Sequence, residues 1–351
     1  MKFNKTNPPS TICVMRMSAI GDVCHTIPVI KTLQYYWPNT KITWIIGKAE
    51  YTLVENLPGV EFIIFDKSRG FAAFRELRLQ LKNRRFDILL HLQEALRASL
   101  ASLNVKADIR LGYNKQDCQD FQWLFCNTHV EYKPRIHYME RLLLFTDALG
   151  LSPPTLQWDI PIGDENISRA QSLLPIDKPF VVISPCSSVV KNNYRNWTTE
   201  HYIAIAEIIE QKYHHAVVLT GGNSGQEKVI GEQIVERAKT SVTNLIGKLN
   251  LKQLLYALKS ASAVISPDSG PAHMANSVGT PVIGLFYSSN PNFTGPYNNR
   301  DWIVNRYPDA LRKYLNLSID EAKWGQRVRV PEAASLITLE DVENKLDKLK
   351  K

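Results

Sequence analysis

Short apolar runs alternate with amphipathic stretches along most of the chain. Thr11–Met17 is the first run. It ends in Ser18-Ala19-Ile20-Gly21-Asp22, after which a helical pattern spans Val23 to Tyr36 and stops before Pro38. Ile42–Ile46, Val60–Phe65 and Asp87–Leu92 are further strands, with helices expected between them. Pro153, Pro154, Pro161 and Gly163 mark Leu151–Asp164 as a linker. The rhythm then restarts. Strands at Phe180–Ser184, Ala216–Thr220, Ala263–Ser266 and Thr280–Phe286 alternate with helices at Thr199–Lys212, Gln226–Lys239 and Leu251–Lys259. Strands separated by helices imply parallel sheets covered on both faces. Two such halves, residues 1–160 and 161–351, predict an α/β molecule of two Rossmann-like domains. Ligands are expected at the carboxyl ends of the strands, in a cleft. Thr338-Leu339-Glu340-Asp341 has the form of a capping box, and Leu339, Val342, Leu346 and Leu349 line one face of a C-terminal helix expected to dock on the body.

Composition narrows the classes. No stretch approaches the ~18 apolar residues of a membrane-spanning helix, and Thr11–Met15 is too short for a signal-peptide core. The chain reads as cytoplasmic. Cys13, Cys24, Cys118, Cys126 and Cys186 form no CxxC pair, which argues against a disulfide framework and a zinc site. The net charge of +8 suits acidic partners. Lys67, Arg69, Arg75, Arg78, Lys82, Arg84 and Arg85 stand against Glu76 alone. That stretch is either a solvated helix face or a surface for an acidic ligand. No nucleic-acid-binding module accompanies it.

Three segments carry candidate chemistry. Ser266-Pro267-Asp268-Ser269-Gly270-Pro271-Ala272-His273 links a strand to a helix. Asp268 or Ser269 is expected to cap that helix, and Pro271 suits its first turn. Gly270 allows close backbone approach, so the helix N-terminus can receive a phosphate. A carboxylate beside a phosphate is better used on hydroxyls, which points to a nucleotide-linked sugar. Asp22, at the start of the first helix, is either an N-cap or a carboxylate able to accept a proton. His25, on the same helix face, either supports it from behind or belongs to the core. In Ser184-Pro185-Cys186-Ser187-Ser188, hydroxyls follow a strand, and Lys191 or Arg195 could neutralise a diphosphate. Gly221-Gly222-Asn223-Ser224-Gly225 lacks the GxGxxG order and any GK[ST], so neither a typical dinucleotide site nor a Walker loop is supported.

Ser18–Asp22 with His25, Asn196-Trp197 followed by Glu200-His201-Tyr202, and Asp268–His273 occur in this order. Together they resemble the bacterial ADP-heptose:lipopolysaccharide heptosyltransferases, glycosyltransferase family 9, over nearly the whole chain. Within that family the likeness is greatest to the enzymes that add the first heptose. The resemblance implies a GT-B fold, an acceptor-binding first domain, an ADP-heptose-binding second domain, and transfer without a metal or other cofactor. The absence of a DxD sequence agrees with that. It implies Asp22 as catalytic base, Ser187 and Ser188 near the diphosphate, and Asp268 on heptose hydroxyls. Ser269 and Gly270 match the phosphate-cradling turn, His273 lies near them, and Leu249 matches an apolar residue against adenine. The family's phosphate-binding Lys is matched by Arg195, with Lys191 as rival; its ribose-binding Glu is matched by Gln226, with Glu227 adjacent. Lys67, Arg69, Arg75, Arg78 and Arg97 are the acceptor candidates.

The expected reaction is inverting transfer of heptose from ADP-heptose to the Kdo region of lipid A–Kdo, peripheral on the cytoplasmic face of the inner membrane, with no nucleic acid involved. Two alternatives stand beside it: transfer of a later core heptose, and a non-catalytic nucleotide-sugar-binding protein. The second would have no need of Asp22. The missing GxGxxG turn disfavours a nicotinamide oxidoreductase.

Overall fold

β1 (Thr11–Met15) is buried along nearly its whole length, as a central parallel strand must be when helices cover both faces. The computed structural model describes residues 2–187 and 193–350. The chain divides into two compact units, Met1–Pro161 and Ile162–Lys351. In the first, β1 is followed by α1 (Ile20–Tyr36), β2 (Lys41–Gly47), α2 (Lys48–Val54), β3 (Val60–Phe65) and α3 (Phe71–Leu81). Then come β4 (Phe86–His91), α4 (Leu96–Ser102), β5 (Ala107–Gly112), β6 (Thr128–His129) and α5 (Tyr138–Ala148). The six strands are all parallel, in the order β3-β2-β1-β4-β5-β6. α1 packs against α5, whereas α3 and α4 share one core with β1–β4 through Ala73, Leu77, Ala98 and Ala101.

The second unit repeats the plan. α6 (Asp164–Gln171), β7 (Phe180–Ile183), α7 (Thr199–Tyr213), β8 (Ala216–Leu219) and α8 (Gly225–Arg237) lead to β9 (Val242–Asn244). α9 (Leu251–Ser260), β10 (Ala263–Pro267), α10 (Gly270–Ser277), β11 (Val282–Phe286) and β12 (Val304–Asn305) complete it. Its parallel order, β9-β8-β7-β10-β11-β12, is that of the first sheet. In each unit the connections leave in opposite directions from two adjacent central strands, β1/β4 and β7/β10, and open α/β sheets bind ligands at that point. The C-terminal helix Leu339–Leu346 starts from the expected capping box and docks on α7 of its own unit. Arg306 holds Asp341 at 2.6 Å and Lys212 holds Glu343 at 2.7 Å.

Candidate active site

Asp22 stands at the third position of α1, at the carboxyl end of β1. It is not the N-cap; Ala19 is. Asp22 Oδ2 accepts the Ala19 N–H at 2.9 Å, the returning half of a capping box, and pairs with the Arg16 guanidinium. Arg16 is buried. It donates to the Leu92 carbonyl at 2.5 Å and lies 5.6 Å from the centre of the Tyr138 ring. Burial opposes its charge, but Asp22 more than offsets that and its pKa is raised. Gln93, at the end of β4, ties the loop down: its Oε1 accepts from Met17 N at 2.7 Å and its Nε2 donates to Ser18 Oγ at 3.0 Å. Asp22 Oδ1 carries no hydrogen bond among the described residues, and the side chain is 30% exposed. One oxygen is therefore fixed and the other is open. His25 is buried against the rings of His137 and Tyr138, so it packs behind the helix and is not presented at the edge.

A second carboxyl lies nearby. Glu50 of α2 is buried at the carboxyl end of β2, and its pKa is raised by burial, with Asp22 adding to the shift and Lys67 opposing it. The basic stretch is not one surface. Lys67 and Arg69 follow β3 at the edge where Asp22 sits, and Arg69 pairs with Glu76. Arg75 and Arg78 are exposed on α3, and Arg97 on α4, none with an ion pair among the described residues. Arg84 and Arg85 precede β4 at the opposite edge. They are spent on Glu61 at 2.6 Å and Asp108 at 2.5 Å.

In the second unit Asp268 immediately follows β10 and is buried. Its Oδ2 accepts from Ser289 Oγ at 2.8 Å and Thr294 Oγ1 at 3.4 Å. Arg195 Nη1 reaches its main-chain oxygen at 2.8 Å and Oδ2 at 3.6 Å, and His273 Nε2 is 3.9 Å from Oδ1. Burial alone would raise the Asp268 pKa; His273, Arg195 and Ser289 outweigh it and bring it down to about 2. Neither Asp268 nor Ser269 caps α10 with its side chain, contrary to expectation. Ser269 occupies the N-cap position, but its hydroxyl pairs with Ser266 Oγ at 2.7 Å. The Ser269 side chain thus makes no capping hydrogen bond to the helix N-terminus beside Gly270, where an anion would be received. Arg327 lies within electrostatic reach of Asp268, Arg195 and Arg329. It is delivered by a segment that Ser288 grips, with Val328 N donating to Ser288 O at 2.8 Å.

Around β8 and β9 the remaining candidates separate. Glu227 accepts from Gly222 N at 2.8 Å and Ser224 Oγ at 2.6 Å, so it shapes the Gly221-Gly222 turn. Gln226 is exposed. Leu249 is half-buried in the loop after β9, where Gly247 N donates to Gly221 O at 3.1 Å. Ser187 Oγ is engaged by Asn193 at 2.9 Å and Asn196 at 3.0 Å. Ser188 and Lys191 lie outside the described residues.

Residues 74–320 match the profile of glycosyltransferase family 9 (heptosyltransferase). The lipopolysaccharide core heptosyltransferase OpsX of Haemophilus influenzae is 35% identical over 98% of both chains. The chain belongs to glycosyltransferase family 9. Lipopolysaccharide heptosyltransferase 1 of Escherichia coli K12 is 22% identical over 83% of this chain and 92% of its own. Among solved structures, a family 9 glycosyltransferase from Veillonella parvula superposes with a TM-score of 0.78 at 22% identity, covering 99% of this chain and 98% of that one. The E. coli heptosyltransferase WaaC with ADP gives 0.74 at 18% identity, covering 97% and 99%. These likenesses establish the GT-B fold.

This heptosyltransferase therefore carries, in its first unit, a carboxyl group with one oxygen engaged and the other without a hydrogen bond among the described residues. In its second it carries a cation-rich helix N-terminus with a buried, fully ionised aspartate. Of the expected residues, Asp22 lies at the start of the helix after β1, Asp268, Ser269 and Gly270 follow β10, and Arg195 and His273 stand against Asp268. Sequence reasoning missed Arg16, Glu50, Gln93, Ser289, Thr294 and Arg327. A charged residue inside the apolar run Val14-Met15-Arg16-Met17 was the one available signal. Among the described residues no cluster of His, Cys, Asp and Glu could hold a metal ion.

Proposed function

We propose that this protein transfers heptose from ADP-heptose to the Kdo region of lipid A–Kdo in lipopolysaccharide core synthesis, with inversion. The reading is carried by the free Oδ1 of Asp22 at the carboxyl edge of β1. Asp22 takes the proton of an acceptor hydroxyl while that oxygen bonds to the anomeric carbon and the bond to the diphosphate breaks. The negative charge developing on ADP is met by the α10 N-terminus with Arg195 and Arg327, without a metal. Gln226 and Leu249 face the ribose and adenine. Arg16 and the Ala19 N–H hold Oδ2 of Asp22, which leaves Oδ1 to face the acceptor. The 35% identity to a core heptosyltransferase along 98% of the chain supports lipopolysaccharide as the acceptor class. The acceptor being a lipid places the reaction at the cytoplasmic face of the inner membrane; no helix among the described residues is long and apolar enough to cross one.

The test is product mass after incubation with ADP-heptose and lipid A bearing one Kdo, one phosphorylated Kdo, two Kdo, or an already heptosylated core. Addition of one heptose to a Kdo-terminated acceptor, at a rate that EDTA leaves unchanged, is expected. Transfer confined to the heptosylated acceptor would assign a later step, and EDTA inhibition reversed by Mg²⁺ would overturn the charge-stabilisation scheme.

A further inference from the structure

We propose that the outer face of the α3–α4 layer seats this heptosyltransferase on an anionic lipid bilayer, an inference that rests on the acceptor being a lipid. Of the fourteen large apolar side chains exposed among the described residues, seven lie on α3, on α4, on the 3₁₀ turn beside α4 or at the cap positions Leu103 and Phe121 that flank the last two. Among its described residues the second unit, the larger of the two, has Ile176, Val229 and Val235. On α3, Phe71 is 93% exposed and Leu79 64%. Arg75 and Arg78 fall four and seven positions after Phe71, on the same helical stripe. Leu96 and Leu100 of α4 and its C-cap Leu103 repeat at that spacing, 49%, 44% and 64% exposed. Phe121 and Leu124 extend the patch from the turn Gln122–Phe125.

Both helices bury their other side in one core, so their exposed stripes belong to one layer of the unit. Positive charge is in excess on the two helices, which carry Arg75, Arg78 and Arg97. Glu76 is the sole acid on either helix and is paired with Arg69, while the neighbouring Asp120 receives the Leu96 N–H at 3.0 Å. A water-facing surface gains nothing from so many bare apolar side chains. Apolar residues interleaved with unopposed arginines suit an interface of anionic headgroups, where the apolar groups insert and the cations meet phosphate. α3 and α4 also begin at the carboxyl edge of the sheet, where Asp22 stands, so Phe71 and Leu96 lie towards the catalytic edge.

The experiment is sedimentation of the full chain with phosphatidylglycerol-containing or pure phosphatidylcholine vesicles. It is paired with transfer to intact acceptor in vesicles and to deacylated, water-soluble acceptor. The parental protein should bind the anionic vesicles, more weakly as salt rises, and not the neutral ones. Phe71→Ser with Leu100→Ser should lower vesicle affinity and transfer to membrane-borne acceptor by about tenfold or more, and leave transfer to deacylated acceptor unchanged. Parental vesicle binding by this double variant, or equal parental binding to both vesicle types, would overturn the proposal. Failure of the parental protein to use any acceptor would instead refute the reaction assigned above, while the vesicle data still decide the docking face.

Discussion

Asp22 and Asp268 occupy the ends of central strands in two sheets of identical strand order, and each has an arginine partner. Their surroundings differ. Asp22 has one oxygen engaged and the other open, on a side chain 30% exposed. Asp268 is buried and held by Ser289, Thr294, Arg195 and His273. A carboxylate that must exchange a proton with a substrate needs an accessible oxygen and one restraint to aim it. A carboxylate that must stay charged next to a diphosphate can be enclosed, provided cations and donors repay its lost hydration.

The largest effect that could break this contrast is at Asp22. Asp22→Asn keeps an acceptor for the Ala19 N–H but removes the proton-accepting charge, and turnover should fall ~10²–10⁴-fold in a transfer assay. Glu50→Gln, made in parallel, should cost far less; the reverse ranking would move the base to Glu50. Asp268→Ala should lower stability by about 2–4 kcal/mol in denaturant unfolding, because it strands a cation and hydroxyls that now share one charge. The pH dependence sharpens the point. The pKa of Asp268 is lowered in the folded state, so its contribution is present above the unfolded carboxyl range and is lost as pH falls towards about 2. The stability gap between parental protein and variant should therefore narrow between about pH 4 and pH 2. A gap that widened there would mean that the side chain is held protonated.

A smaller effect is expected at Arg327. Arg327→Ala should weaken ADP binding about tenfold in calorimetry, the scale of one charge-assisted contact, whereas unaltered affinity would leave Arg195 as the described cation that serves the diphosphate. The smallest concerns the acceptor side. Arg75→Glu with Arg78→Glu should raise the acceptor KM several-fold and flatten its salt dependence while sparing the KM for ADP-heptose. No change in either would make α3 a solvated face.

Much of this was legible from the sequence because central parallel strands are unbroken apolar runs. The buried stretches Ile12–Met15 of β1 and Phe180–Ile183 of β7 are such runs, and Ser18 and Ser184 follow them. β5 and the edge strands β6, β9 and β12 were not, being short or carrying polar residues such as Arg110 and Asn244. Asp22 and Asp268 were legible as carboxylates at helix starts. Their partners were not: Ser289 and Thr294 lie 21 and 26 residues beyond Asp268, and Gln93 lies 76 beyond Met17. Spacing rules do not reach across a sheet. Capping was misassigned at Ser269 because a hydroxyl at an N-cap position had a second hydroxyl, Ser266, within reach.

The division of labour between the two aspartates is tested most directly by measuring kcat and the ADP-heptose Kd for Asp22→Asn and Asp268→Asn side by side. Asp22→Asn should lose turnover with its donor Kd unchanged, and Asp268→Asn should bind ADP-heptose more weakly while losing little affinity for ADP. If both variants lost donor affinity, or if Asp22→Asn turned over at the parental rate, the account would be wrong.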